Sequence, residues 1–162
     1  MEKLCSLARL PAADVEQLLD DAFGTDRHRR TAYLLRKGMP VIDHLSFGIH
    51  DGEAVVGSIQ CWPIAVEGAP LVLVGPVAVS PARQNSGFGK QLMNAMLAAV
   101  SETDAPMVMI GDPEYYGRFG FGASETGEWT LPGPFEPRRL LLRNPYNVTL
   151  PVTGMLGPRT RL

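Results

Sequence analysis

The sequence predicts a mixed α/β layer fold. Two helical patterns come first and a hairpin follows. An apolar run over residues 71–79 then enters a glycine-punctuated turn and a further amphipathic helix. A strand–helix–strand pattern completes the readable part. Segments of period two alternating with segments of period 3.6 pack as helices laid on a sheet. The chain has 162 residues, 45% of them hydrophobic and 20% charged. That fits one domain (residues 1–162) with a core large enough to need no staples.

The elements follow in order. Val15, Leu18, Leu19, Ala22 and Phe23 recur at helical spacing over residues 14–23. Gly24 suits the end of that helix, because it takes the left-handed conformation without penalty. A second helix is expected over residues 26–37, with Ala32, Leu34 and Leu35 as its apolar contribution and Gly38 closing it. Residues 45–50 alternate as a strand, Asp51-Gly52 signals a hairpin turn, and residues 54–64 return. The run over 71–79 reads as a strand covered on both faces. Phe88, Leu92, Ala95, Met96 and Ala99 form the stripe of the next helix. Residues 107–110 read as a short buried strand, and 111–121 as a loop, a brief helix and a re-entry into sheet. Residues 128–131 and 139–142 look like strands around a proline-rich loop. The tail after Asn144 carries no assignable pattern.

Composition excludes several functions. A net charge of -2 offers no basic face for nucleic acid. Cys5 and Cys61 lie far apart, and Cys61, in an apolar strand, reads as a small buried hydrophobe. The three histidines lack metal-ligand spacing, so no metal is expected. The N-terminal residues do not resemble a signal peptide and no apolar run approaches a membrane span, so a reduced cytoplasmic protein is expected.

The most informative stretch is Val77-Ala78-Val79-Ser80-Pro81-Ala82-Arg83-Gln84-Asn85-Ser86-Gly87-Phe88-Gly89-Lys90. A buried strand there passes through a tight turn straight into a helix. Such a turn leaves successive backbone N–H groups unpaired at a helix N-terminus, where the macrodipole adds positive charge. That is a receptor for a diphosphate. A P-loop would need glycine at Gln84 and Ser or Thr at Gln91, and a dinucleotide fingerprint would need glycine at Leu92. The bland alternative is that Gly87 and Gly89 merely permit a sharp turn.

Gln-x-x-Gly-x-Gly after a Val-Ala-Val strand and a proline resembles the acyl-CoA pyrophosphate loop of the GNAT N-acetyltransferase superfamily. Tyr116-Gly117-Arg118-Phe119-Gly120-Phe121 independently resembles the tyrosine-containing segment that follows the fifth strand in many of its members. Gly111-Asp112-Pro113 and residues 22–33 resemble the YhbS-like subgroup. The resemblance reaches to about Leu142. It implies a mostly antiparallel central sheet splayed between strands 4 and 5, with helices on both faces.

It also implies acetyl-CoA as donor and a small-molecule, peptide or protein amine as acceptor, joined by direct attack in a ternary complex. Backbone groups of Val77, Ala78 and Val79 would pair with the pantetheine arm. Gln84, Asn85, Ser86, Gly87, Phe88, Gly89 and Lys90 would hold the diphosphate, with Tyr115 and Phe119 also bordering the donor. Tyr116 would protonate the departing thiolate. Its reference pKa of about 10 exceeds a thiol's of about 8.5, so that transfer is uphill by roughly 2 kcal/mol. Tyr115 and Tyr116 could instead be core aromatics beside Phe119 and Phe121. A non-catalytic acyl-CoA-binding module on the same fold is the alternative function, and a homodimer through the C-terminal strands is common among relatives.

Relatives often have glycine where Asn85 stands and arginine or lysine where Ser86 stands. Asparagine visits the left-handed region readily. Ser86 keeps a hydroxyl donor without charge, so the diphosphate would lean on backbone amides, with Arg83 or Lys90 in support. No general base is visible, because the carboxylate that some relatives carry before the splay is replaced by Gly75-Pro76. His28, His44, His50, Asp112 and Glu114 are the nearest polar candidates, and Asp112 before Pro113 also fits a helix N-cap. The run Arg27-His28-Arg29-Arg30 either lines the acceptor pocket or is a solvated helix face.

Overall fold

The computed structural model describes residues 2–160. In chain order its strands and α-helices are β1 (Lys3–Ser6), α1 (Ala12–Phe23), α2 (Thr31–Leu35), β2 (Phe47–His50), β3 (Val55–Val66), β4 (Ala69–Val79), α3 (Phe88–Ala99), β5 (Met107–Ile110), α4 (Pro113–Tyr116), β6 (Trp129–Thr130), β7 (Leu140–Arg143) and β8 (Gly154–Pro158). The chain forms two compact units. One comprises residues 2–28, 41–61 and 76–100, and the other residues 29–40, 62–75 and 101–160.

In the first unit β1 pairs antiparallel with β2, and β2 with the first half of β3 through Phe47↔Ile59, Gly48↔Ser58 and Ile49↔Gly57. The loop between β2 and β3 is built by Asp51. Its Oδ1 accepts the N–H groups of Glu53 (2.9 Å) and Ala54 (2.8 Å), while Gly52 takes φ 100°. Helices cover both faces of this sheet. A Cβ on Gly48 would strike Leu10 and lie against Leu7, whereas a Cβ on Gly57 would meet Leu92 of α3 at 3.2 Å. Helix α1 buries Val15, Leu18 and Leu19 in one cluster with Leu7, Val55 and Ala78. Burying each such aliphatic chain contributes roughly 1.5–3 kcal/mol. Gly24 ends α1 at φ 91°, its N–H returning to the Asp20 carbonyl at 2.8 Å. Helix α3 buries Phe88, Leu92, Met93 and Met96.

In the second unit β4 runs parallel to β5, with register pairs Val72↔Met107 and Leu73↔Val108. Antiparallel β7 continues from β5 through Met107↔Arg143 to Ile110↔Leu140. The last residues of β3 pair antiparallel with β8, which in turn pairs parallel with β6. Glu67 (φ 46°) and Gly68 (φ 79°) form the two-residue turn from β3 to β4, the mirror-image turn that matches strand twist. Leu35, Ile64, Val66, Leu71, Leu73, Val108, Trp129, Leu131, Leu140, Leu142 and Leu156 form the core. The predicted class holds: mixed α/β, mostly antiparallel, with β4 and β5 parallel.

Four local expectations are corrected. The helix expected over 26–37 is a 3-10 turn at Arg27–Arg29 followed by the five-residue α2, because Arg30 is extended (φ -69°, ψ 147°). Leu34, expected in the core, is 39% exposed, and Thr31 and Leu35 are buried instead. The chain opens with a strand, not a helix; β1 has too few apolar residues to show alternation. Residues 43–45 are a 3-10 turn, so the strand expected from 45 begins at Phe47. The unassigned tail contains β8, whose Leu156 is buried while Val152 and Met155 are 76% and 55% exposed.

Candidate active site

The first set of expected site residues lies in the first unit. Strand β4 leaves its parallel register after Leu73, and Gly75 (φ 137°) and Pro76 follow. Val77 and Val79 are half-buried, and Ala78 is buried. The chain then makes a 3-10 turn over Pro81–Arg83 and an exposed loop before α3. Gln84 Nε2 donates to the Val79 carbonyl at 2.9 Å, tying the loop back to its strand. Asn85 sits at φ 64° and Gly87, the N-cap of α3, at φ 83°. These two left-handed residues swing the peptide planes so that the helix begins without a side-chain cap. The first amide of the region that finds an acceptor is that of Gln91, which donates to the Gly87 carbonyl at 3.0 Å. The N–H groups of Asn85, Ser86, Gly87, Phe88, Gly89 and Lys90 meet no acceptor among the described residues. Six unpaired donors at a helix N-terminus can accept a multiply charged anion without rearrangement.

Two side chains expected to assist here are committed elsewhere. The Ser86 hydroxyl donates to the Arg83 carbonyl at 2.5 Å, so its proton serves the turn. Arg83 pairs with Glu2 Oε1 at 2.9 Å and Asp51 Oδ2 at 2.8 Å, anchoring the loop to the β2–β3 turn. Phe88 is buried, so only its backbone faces the loop. Lys90 is exposed.

The second set lies in the second unit, after β5. Asp112 caps α4, its Oδ1 accepting from the Glu114 N–H at 3.0 Å, and Pro113 occupies the first helical position. Glu114, through its side chain and its backbone N–H, holds the Asp112 carboxyl below the ordinary aspartate value. Tyr116 ends α4. Its ring lies 4.9 Å from that of Tyr115, edge to face, and 6.3 Å from that of Phe119. Phe119 is buried and packs as a support under both tyrosines. The Arg118 guanidinium stacks 4.4 Å over the Tyr115 ring. The Tyr116 hydroxyl has no hydrogen-bond partner among the described residues. Burial, then Tyr115 beside it, push the Tyr116 phenol above its ordinary value of 10.0, so it holds its proton throughout the neutral range.

Gly111 is a positioning residue that motif reading did not single out for this purpose. A Cβ there would come within 2.7 Å of both Cδ2 and Cε2 of Tyr116. Only glycine leaves the ring its place beside the end of β5. The signal was present in Gly111-Asp112-Pro113, but its meaning is tertiary.

The remaining polar candidates are largely accounted for by local structure. His50 Nδ1 accepts from the Gly52 N–H at 2.9 Å. Glu114 pairs with Arg138 at 3.3 Å on the surface. Arg27, 2% exposed, is neither a pocket wall nor a solvated face: it binds Glu16 and lies 3.4 Å from Asp20 of α1. Arg29 and Arg30 are exposed. No group of His, Cys, Asp and Glu among the described residues could hold a metal ion.

The model of the acetyltransferase (GNAT) domain matches residues 12–124. The chain belongs to the GNAT acetyltransferase family. Within it the chain is YhbS-like. It is 30% identical over 118 residues to the uncharacterized N-acetyltransferase YhbS of Escherichia coli K12, covering 69% of this chain and 68% of the relative. The crystal structure of E. coli YhbS in complex with CoA superposes with a TM-score of 0.72 at 23% identity, covering 98% of this chain and 88% of that one. A GNAT family acetyltransferase of Brucella melitensis in complex with acetyl-CoA gives a TM-score of 0.68 at 22% identity, covering 99% and 97%. These two structural likenesses establish the GNAT fold.

Proposed function

We propose that this protein transfers an acetyl group from acetyl-CoA to an amine by direct attack in a ternary complex. The observation that carries the reading is the run of six unpaired N–H groups, Asn85 to Lys90, on an exposed loop at the start of α3. A CoA diphosphate is a ligand that such a run fits, and the two crystallised relatives hold CoA and acetyl-CoA. Gln84 then orders the loop by its bond to Val79, and the loop backbone binds the phosphates. Val77, Ala78 and Val79 offer backbone groups to the pantetheine arm. One N–H among them would meet the oxyanion formed as the amine attacks the thioester, a contribution of roughly 3 kcal/mol.

Tyr116 is the proposed acid for the CoA thiolate. Its freestanding hydroxyl and raised pKa suit a group that must arrive protonated. The transfer remains uphill, and the thiolate is a fair leaving group, so Tyr116 accelerates the step without being indispensable. Attack forms the amide N–C bond and breaks the thioester C–S bond, and the proton lost by the amine passes to solvent.

Calorimetry with CoA and thiol release from acetyl-CoA with an amine panel test the reading. Micromolar CoA affinity with amine-dependent thiol release is the expected result, and no heat at millimolar CoA refutes it. The absence of a carboxylate at Gly75-Pro76 favours a second reading, an acyl-CoA-binding module without turnover. CoA binding with no thiol release for any amine would establish that one.

A further inference from the structure

Arg138 and Arg139 stand side by side just before β7 and are used differently. Arg138 pairs on the surface with Glu114 of α4 at 3.3 Å. Arg139 is half-buried and makes no ion pair among the described residues. It is bound twice to Gly111: its carbonyl accepts the Gly111 N–H at 3.0 Å, and its Nε donates to the Gly111 carbonyl at 3.3 Å. The first of these bonds carries the β5–β7 ladder one residue beyond Ile110↔Leu140, so the sheet itself fixes where this side chain starts. Gly111 is also the residue whose bare face admits the Tyr116 ring, 2.7 Å from the position a Cβ would take. Tyr116 and Arg139 therefore flank one glycine, the ring on its α-carbon side and the guanidinium on its carbonyl.

The groups that act on the phenol are few. Burial, Tyr115 and Asp112 at the N-cap of α4 all oppose its ionised form, and Arg139 alone among the described residues favours it. The other charged side chains nearby are turned to other partners: Glu114 and Arg138 to each other, and Arg118 to the Tyr115 ring. This matters for the proposed acid. Giving its proton to the CoA thiolate leaves Tyr116 a phenolate in a half-buried place, where an unbalanced negative charge is costly. A guanidinium keeps its own proton at any working pH, so it can balance that charge without competing for the proton.

We propose that Arg139 is the positioning residue of the acid step, held on Gly111 so that its guanidinium balances the phenolate left on Tyr116; this rests on the acyl-transfer reading given above. In that step the Tyr116 O–H bond breaks and the S–H bond of CoA forms, and solvent later returns a proton to the phenolate. Arg139 is unchanged throughout.

The protein has four tyrosines. Labelling them with 3-fluorotyrosine, whose phenol ionises at lower pH than tyrosine's, brings each titration within reach of fluorine NMR on folded protein. Tyr116→Phe assigns the Tyr116 line. Arg139→Gln removes the charge but keeps an N–H donor for Gly111, and Arg139→Lys keeps the charge. In Arg139→Gln the Tyr116 line is expected to titrate at higher pH, by about half a unit or more, with the Tyr33 and Tyr146 lines unmoved. Turnover is expected to fall roughly three- to tenfold at unchanged CoA affinity. Arg139→Lys should recover most of both effects. In a Tyr116→Phe background Arg139→Gln should cost nothing further. A Tyr116 titration unmoved by Arg139→Gln, or an equal shift in Arg138→Gln, would overturn the proposal. So would a full loss in the Tyr116→Phe background or failure of Arg139→Gln to fold, either of which would assign the side chain to the fold. No thiol release from wild-type protein with any amine would instead strike the acyl-transfer reading, whereas the fluorine titration needs neither donor nor amine and tests Arg139 alone.

Discussion

The loop at residues 84–90 and the segment at 111–121 both carry recognisable motifs, yet they are built on opposite principles. On the proposed reading the loop would work through its backbone: Asn85 and Gly87 hold left-handed angles, Gln84 and Ser86 are turned back onto carbonyls, and what remains outward is a row of N–H groups. The tyrosine segment would work through one side chain, the proposed acid Tyr116, whose position is set by what packs around it: the bare face of Gly111, the Tyr115 ring and buried Phe119. Side-chain chemistry should therefore be dispensable in the first region and decisive in the second, and conformation should matter in both for different reasons.

The largest expected effect sits in the second region. Tyr116→Phe should lower turnover by one to two orders of magnitude, toward the low end of general-acid effects. CoA affinity by calorimetry should stay the same. Unchanged turnover would reduce Tyr116 to a packing residue. Next is the backbone of the first region. Gly87→Val forces a β-branched residue to φ 83°, a strain of about 1–3 kcal/mol. CoA affinity should fall roughly tenfold or more while Tyr116-dependent chemistry at saturating donor persists. If binding survives, the row of amides is not the receptor.

Gly111→Ala sharpens the contrast. The added methyl meets the Tyr116 ring at 2.7 Å, so overpacking should destabilise the fold by about 1–3 kcal/mol, read as a lower melting temperature. Turnover should drop with it, and CoA binding should not. The pH profile gives a smaller signal. Tyr116 has a folded pKa raised above 10.0, so its contribution to stability is complete below pH 10 and lost as pH rises through the raised value. Any alkaline decline owed to Tyr116 should lie above pH 10 and vanish in Tyr116→Phe. The smallest effect is Ser86→Ala, which removes one exposed hydroxyl bonded within its own turn. CoA affinity should change less than threefold, and stability by no more than about 0.5 kcal/mol.

The first two helices read unequally well from the chain. Helix α1 was legible because Val15, Leu18 and Leu19 face one layer and Gly24 stops the helix by its own backbone preference. The second expected helix was not, because Arg27 turns inward to Glu16 and Asp20 and breaks the run at Arg30. Periodicity cannot reveal a charge pair that exists only after α1 has folded. Strand β8 was invisible for a related reason: it is held by pairing with β3 and β6, not by alternation of its own.

At the site the same division holds. The left-handed turn at Asn85 and Gly87, the N-cap at Asp112 and the order of strand, loop and helix are local consequences of residue type, so the chain alone determined them. Other features were decided by distant neighbours. Arg83 is taken by Glu2 and Asp51, Gly111 makes room for the Tyr116 ring, and the Ser58 hydroxyl and the Gln60 carbonyl oxygen are buried without partners among the described residues. Backbone preference acts between adjacent residues and is written in their order; burial and pairing act between residues that meet only when the chain has folded.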